Sequence, residues 1–427
     1  MKILCSADIH IGRRATRLAS RLNPRDFTGV AAWEDLVETA LEEKVELVLI
    51  AGDVVDLDQH YYEAIGPLER GVRRLHEAGI KIWMVAGNHD VDVLPKLADT
   101  FKGDSFQLLG RGGCWESRLF ERDSLPLLQI DGWSFPNRRV SRSPVPEHKQ
   151  SRTPGVPRIV LVHGDLDQST SEYAPLMQAD MDRISADLWL LGHIHQPRLG
   201  TTPGGTPTLY PGSPMALDPG EAGIHGPWLV EVDGGRVGKP VQIQSSRIRY
   251  EPIELDISHL TTKDEVDIWL HSAVKEKSRE ILLEENATRF LSLRIRLVGS
   301  SSAHAVLPEL ASKFQEGWDS EVDGVPIGLD KIQCHTTPNR DLTELSTGHG
   351  PVAYLARLIL ELDSGGRSPE TLHAVEQVRD RMNALHDRQD YRDIDDDPKP
   401  SLEQVRLTVR RAGANLLESL LRQKEEI

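Results

Sequence analysis

The sequence predicts an α/β protein: a layered α/β domain over residues 1–250, a smaller α+β unit over 251–348 and a helical region over 349–427. Three observations carry this expectation. Short apolar runs alternate with amphipathic stretches through the first part of the chain, the rhythm of stacked β-α units. That rhythm gives way to strands and turns after residue 195 and to a new helix–strand–helix unit from about 255. A length of 427 residues also exceeds what one hydrophobic core ordinarily organises.

Taken in order, "KILCSA" (2–7), "VELVLIA" (45–51), "IKIWMVA" (80–86), "RIVLVH" (158–163) and "DLWLLG" (187–192) read as strands buried on both faces. Between the first three lie the helical patterns "GVAAWEDLVETALEEK" (29–44) and "YYEAIGPLERGVRRLHEAG" (61–79). Residues 137–157, rich in Pro, Ser and Arg, predict a loop. "PTLYPGSP", "GPWLVEVDGG" and "RVGKPVQIQ" predict a second, antiparallel sheet completing the same domain. Beyond 255 come a helix ("KDEVDIWLHSAVKEK"), an alternating strand ("FLSLRIRLVG", 290–299) and another helix, then the helices "GPVAYLARLILEL" and "SPETLHAVEQVRDRMNALH". An acidic break, "DYRDIDDDPKP" (390–400), precedes a last helix over 401–425. There Ser401 and Gln404 form a capping-box pattern, and Leu402, Val405, Val409, Ala412, Leu416 and Leu420 make a one-sided stripe. The stripe suits either a partner or packing within the chain.

Composition narrows the function classes. The net charge of −16 argues against a freestanding electrostatic binder of nucleic acid. It is uneven, about −5 over 1–250 and about −11 over 251–427, so any polyanion-binding surface is local to the first part or supplied by a partner. No apolar run approaches the ~20 residues of a membrane-spanning helix, and "MKILCSADIH" lacks the pattern of a signal peptide. Cys5, Cys114 and Cys334 are odd in number and far apart. They are expected as reduced thiols of a cytoplasmic protein.

Each buried strand runs into polar residues. The clusters are Asp8-Ile9-His10, Gly52-Asp53-Val54-Val55-Asp56, Gly87-Asn88-His89-Asp90, His163-Gly164-Asp165 and Gly192-His193-Ile194-His195. Sites in layered α/β folds form beyond the carboxyl ends of strands, so the five clusters should converge. Carboxylate, imidazole and amide oxygen without thiolate suit divalent cations such as manganese, iron or zinc. The seven candidates Asp8, His10, Asp53, Asn88, His163, His193 and His195 are enough for two ions sharing a bridging carboxylate. Two ions roughly 3.5–4 Å apart clamp the oxygens of a phosphate ester during in-line displacement. The i, i+2 spacing of Asp8/His10 and His193/His195 suits extended or loop backbone, where alternate side chains point the same way. Singly, an Asp or Asn after a strand is most often a turn former or helix cap. Five such clusters in fixed order favour the site.

The motifs D-x-H, G-D-x-x-D, G-N-H-D, H and G-H-x-H resemble those of the calcineurin-like metallophosphoesterases, over about residues 1–250. The resemblance implies a four-layer metallophosphoesterase sandwich, two β-sheets flanked by helices, followed by a small capping domain and C-terminal helices. It implies one ion held by Asp8, His10, Asp53 and His195, and another by Asp53, Asn88, His163 and His193. His89 would then face the scissile phosphate, with Asp56 orienting its imidazole. "ADIHIGR" and "YPGSPMALD" are similar to the nuclease-subunit branch typified by bacterial SbcCD double-strand-break repair complexes. The Leu57-Asp58 pair after Asp56, and Asp90 closing the third motif, separate the chain from the phosphoprotein phosphatases. Some members of the branch, archaeal ones among them, carry histidine where Asp56 stands, so an end-recognition role tied to that histidine does not transfer.

What the resemblance implies is a two-metal DNA nuclease of DNA repair and recombination, activated most readily by Mn2+. It would act as a 3′→5′ exonuclease and single-strand endonuclease, as a homodimer with an SbcC-type coiled-coil ABC ATPase partner. Arg13, Arg14, Arg17, Arg21 and Arg25 after the first motif, with Arg138, Arg139, Arg142, Lys149 and Arg152 in the later loop, would form a basic rim tracking a phosphate backbone. Arg13 and Arg14 are the candidate substrate contacts. Two alternatives stand beside this expectation: a phosphodiesterase or phosphatase acting on nucleotides or other small esters, and a scaffold that lost its chemistry. The second is disfavoured by the complete ligand set.

Overall fold

The computed structural model describes the chain except residues 57–60, 102–103, 284–286, 367, 387–399 and 426–427. Leu57, Asp58 and nearly all of the acidic break at 390–400 therefore lie outside the described residues. The described chain packs as two compact units. The first holds Met1–Ile253, Val274–Arg294 and Trp318–Lys331, the second Glu254–Ala273, Ile295–Gly317 and Ile332–Ile427.

The first unit is a sandwich of two sheets. In one, β1 (Lys2–Ser6), β2 (Leu47–Ala51), β3 (Lys81–Val85) and β4 (Phe106–Leu108) run parallel. The antiparallel β11 (Trp228–Asp233) extends it beyond β1 and carries β12 (Arg236–Val237) and β13 (Val241–Gln242). The other sheet runs β5 (Glu116–Arg122), β6 (Leu125–Trp133), β7 (Arg158–His163), β8 (Leu188–Gly192), β10 (Pro207–Tyr210) and β9 (Arg198–Thr201). Its four central strands are parallel. The expectation of a separate antiparallel sheet built after residue 195 is thus corrected. β10 adds parallel to β8 in the second sheet, while β11 crosses to the first. The centre of the second sheet is made by β7 and β8, whose all-apolar runs are buried on both faces, as parallel strands require.

Alternation along the strands builds the layers. Ile3, Cys5, Leu47, Leu49, Trp83 and Val85 of the first sheet meet Ile130, Ile159, Leu161, Leu188 and Leu190 of the second in one core. The intervening residues Leu4, Val48, Ile50, Ile82 and Met84 face α1 (Gly29–Glu42) and α2 (Tyr61–Glu77). Thr28 caps α1 through a hydrogen bond from the Ala31 amide. Trp33 of α1 donates its indole N–H to the Pro67 carbonyl, beside Gly71, where a Cβ would stand 2.3 Å from the indole. The outer face of the second sheet packs Val160, Val162, Trp189 and Leu191 under Val145, Leu176 and Met181. Two short helices, α3 (Leu94–Ala98) after β3 and α4 (Gln178–Met181) before β8, belong to the connections. This is a mixed α/β fold with several sheets flanked by helices.

A further sheet runs β14 (Ile248–Asp256), β15 (Phe290–Ser301), β17 (Val325–Pro338) and β16 (Ser320–Val322), with α5 (Lys263–Leu282) and α6 (Leu307–Gly317) among its connections. In the second unit α7 (Leu342–Ser346), α8 (Pro351–Asp363), α9 (Pro369–His386) and α10 (Leu402–Glu425) pack together. The capping box of α10 closes reciprocally: the Gln404 amide donates to Ser401 Oγ and the Ser401 amide to Gln404 Oε1. The buried stripe, however, runs Val405, Val409, Leu417 and not through Ala412 and Leu416, which are exposed, as is Leu402. A helix advances 3.6 residues per turn, so a stripe extended by the wrong one of two adjacent leucines drifts off the packed face. No helix among the described residues is long and apolar enough to cross a membrane.

Candidate metal centre

The five polar clusters follow β1, β2, β3, β7 and β8, and the backbone laces them together beyond the strands. The amides of Asp8, His10 and Ile11 donate to the carbonyls of Gly52, Asp53 and Val54, and the Asp56 amide returns to Ile11. The Gly164 amide donates to the Gly192 carbonyl, tying the two clusters of the second sheet. Asp8 (φ 51°), His10 (φ 50°), Asp53 (φ 51°) and His193 (φ 102°) adopt left-handed backbone. Of the extended or loop forms expected for Asp8/His10 and His193/His195, the chain thus takes a loop form at Asp8, His10 and His193. For residues with a Cβ left-handed backbone is strained, and such strain persists where the surrounding structure holds a site in place. The glycines permit close approach: a Cβ on Gly87 would lie 2.2 Å from Asp53 Oδ1, and one on Gly192 1.9 Å from the Ala51 carbonyl.

Three clusters of ligand-type atoms result: Asp8/His10/His195, Asp53/His163/His193 and, at the edge, His10/Asp56/His89. His10 Nε2 and His195 Nε2 stand 3.0 Å apart, and His10 Nε2 lies 4.0 Å from Asp53 Oδ2. His163 Nε2 faces Asn88 Oδ1 at 3.0 Å and Asp53 Oδ2 at 3.3 Å. His163 Nδ1 donates to the Ala51 carbonyl at 2.8 Å, so a neutral ring turns its Nε2 lone pair toward two oxygen acceptors. Imidazole nitrogens, carboxylates and an amide oxygen converging on one buried space are what a cation satisfies, so the donor set fits divalent metal. All seven sequence candidates are brought together by this geometry, with Asp53 reaching the first two clusters.

Burial sets the protonation balance. It depresses His10 to about 3 and, with His163 nearby, His193 to about 4, leaving both rings neutral and able to donate lone pairs. Burial raises Asp8 to about 6. It works equally against Asp53, but the charge and hydrogen bond of His163 hold that carboxyl far below the usual range. Burial likewise opposes charge on His163, yet Asp53 and Asp8 lift it to about 9 in the absence of a cation. The buried Asp90, raised to about 7 by burial and by Asp53, braces the rim by accepting the amides of Val54 and Gly87 at 2.7 Å each.

His89 lies beside the cluster, one third exposed. Its amide donates to Asp53 Oδ1 at 2.9 Å, and Nδ1 is 3.2 Å from Asp56 Oδ1. The hydrogen bond to Asp56 raises its proton affinity above that of an ordinary histidine, against the pull of burial. The second oxygen of buried Asp56 faces Arg13 Nε at 3.5 Å. Arg14 is exposed. Of the other basic residues, Arg17, Arg21, Arg138, Arg139 and Arg152 face Asp330, Asp319, Asp92, Glu172 and Asp187 at 2.6–3.7 Å. Much of the expected basic rim is therefore locally neutralised.

Two residues escaped the sequence reading. Glu221 Oε1 accepts from His195 Nδ1 at 2.8 Å, and its carboxyl, opposed by burial but favoured by His195, falls to about 2. Asp165 Oδ1 lies 3.3 Å from His193 Nε2, and Asp165 Oδ2 accepts from Ser171 Oγ. Asp165 follows His163-Gly164 and could have been suspected from that triplet; nothing in the pattern marks Glu221.

Residues 1–197 match the calcineurin-like phosphoesterase family. The chain is 25% identical over 262 residues to the metallophosphoesterase YhaO of Bacillus subtilis, covering 59% of this chain and 62% of that protein. It is 28% identical over 305 residues to the DNA double-strand break repair protein Mre11 of Aeropyrum pernix, covering 67% and 70% respectively. A solved dimetal phosphatase from Danio rerio aligns over 54% of this chain and 92% of its own, with 12% identity and a TM-score of 0.36.

Proposed function

We propose, from the match of residues 1–197 to the calcineurin-like phosphoesterases, hydrolases acting on phosphoester bonds, that the chain is a two-metal DNA nuclease of the SbcD type acting in double-strand-break repair. Asp8, His10, Asp53 and His195 would hold one divalent ion, Mn2+ by preference, and Asp53, Asn88, His163 and His193 the other. Bound there, the ions would supply Lewis acidity to a phosphoryl group and acidify water. His89, whose proton affinity Asp56 raises, hydrogen-bonds a phosphoryl oxygen and protonates the leaving 3′ or 5′ oxygen. The observation that carries the reading is the convergence of the seven side chains with the His89–Asp56 pair at its edge. Relatives that are DNA double-strand break repair proteins support DNA as the substrate. Residues 1–250 are read as the nuclease domain and 251–348 as a capping domain. Residues 349–427 are read as the docking region for an SbcC-type ATPase, with a homodimer as the working form.

A second reading, hydrolysis of nucleotides or other small esters, is favoured by the pairing of five rim arginines with local carboxylates, which lowers the charge available to a polyanion. Purified protein with Mn2+, given linear DNA and bis-p-nitrophenyl phosphate in parallel, separates the two. Degradation of DNA supports the nuclease, and turnover of the small ester alone overturns it.

A further inference from the structure

We propose that Glu221 is a positioning residue of the metal centre, fixing His195 in the tautomer that turns Nε2 toward a cation. This rests on the reading that the convergent side chains bind divalent metal. A carboxylate only accepts, so the 2.8 Å contact with Glu221 Oε1 places the proton of a neutral His195 on Nδ1 and the lone pair on Nε2. That Nε2 is the atom facing His10 Nε2 at 3.0 Å. The other carboxylate oxygen accepts from Ser213 Oγ and from the Leu217 amide, both at 2.8 Å, so Glu221 is held at three points. It is 8% exposed, which leaves little water to replace these contacts.

The other rings are served differently. His163 has a backbone carbonyl, His193 has Asp165 at a looser 3.3 Å, and buried His10 Nδ1 has no hydrogen-bond partner among the described residues. On the Asp8/His10/His195 side, orientation by a carboxylate therefore falls to Glu221. Its reach extends to the segment bearing Arg13 and Arg14, because the Thr16 amide donates to the Leu217 carbonyl at 2.9 Å.

Substitution by glutamine shows why charge matters here. One amide oxygen cannot serve both sides. If it stays with the Leu217 amide, the NH2 faces His195 Nδ1, draws the lone pair there and leaves Nε2 protonated and unable to bind metal.

The test is Mn2+ titration of the full chain by calorimetry. Wild type should take up two ions. Glu221→Gln should weaken one site by roughly 10–100-fold and leave the other within about twofold. In a His195→Ala background the same change should add nothing, because its effect passes through that ring. Unaltered affinities in Glu221→Gln, or equal weakening in both backgrounds, would overturn the proposal. If Glu221→Gln does not fold, nitrogen-15 histidine spectra of wild-type protein without metal decide the matter. The Nδ1–H form of His195 is expected, and the Nε2–H form overturns it. Wild-type protein that takes up no Mn2+ sinks the metal-centre reading itself; uptake with an unaffected variant sinks this inference alone.

Discussion

His10 and His195, 185 positions apart in the chain, turn their Nε2 atoms to within 3.0 Å of each other. Glu221 Oε1 accepts a hydrogen bond from His195 Nδ1, so His195 directs its Nε2 lone pair toward His10 in a buried space. Such an arrangement is costly for the metal-free protein and favourable with a cation.

Metal should therefore stabilise the fold. Mn2+ at 100 times its Kd is expected to add about 2.7 kcal/mol and raise the melting temperature by several degrees, with EDTA reversing the shift. Scanning fluorimetry with and without chelator measures it. Identical melting curves would show that the cluster holds no ion.

Asp56→Asn should lower kcat by roughly 10–100-fold while Mn2+ stoichiometry is unchanged, since Asp56 hydrogen-bonds His89 and is not one of the seven residues proposed to hold the ions. The pH profile gives the sign. The Asp56 hydrogen bond raises the proton affinity of His89, so His89 keeps its proton to higher pH in wild type. In the variant the decline of activity with rising pH should begin at lower pH. A profile superimposable on wild type would remove His89 protonation from the mechanism.

Away from the site, buried Asp131 lies 3.3 Å from Arg158 Nε and 2.8 Å from His148 Nε2, and also accepts from Ser117 and Gln129. Asp131→Asn removes the carboxylate facing the buried Arg158 guanidinium and should cost roughly 3–5 kcal/mol at pH 7. Burial disfavours the charged carboxyl, but these donors outweigh it and hold Asp131 below its ordinary 3.8. Its stabilisation is thus complete above that pH and is lost as pH falls through the folded-state value. Urea titrations should show the variant and wild type drawing together below about pH 4; a gap that persists there contradicts the assignment.

In α10, Leu417 is 3% exposed and packs with Leu355 and Ile359, while its neighbour Leu416 is 53% exposed. Leu417→Ala should destabilise the helical region by about 2–5 kcal/mol, and Leu416→Ala by less than about 0.5 kcal/mol. Equal effects on thermal unfolding would place the packed face elsewhere.

The site was largely legible in the sequence because each polar cluster follows an apolar run whose strand character is unambiguous, and strand ends in such folds share one rim. What was not legible has local causes. The left-handed backbone at Asp8, His10, Asp53 and His193 has no signature in an i, i+2 spacing. Whether β10 and β11 join one sheet or two depends on partners far away in the chain. Glu221 comes from a loop, where only the fold reveals which ring it meets. The arginines of the rim read as free positive charge until their carboxylate partners, remote in sequence, were in view. Adjacent leucines at 416 and 417 left the phase of the last helix open by one residue.

Asp8, His10, Asp53 and Asn88 leave one sheet of the sandwich, whereas His163, His193 and His195 leave the other. Any ion gripping both groups is a rivet through the two layers, and its fit depends on how far apart they are kept. Fillers of the gap such as Leu49 and Leu161, which carry no ligand atom, thereby become gauge blocks for that fit. Trimming one of them would alter metal selectivity before it altered the shape of the protein.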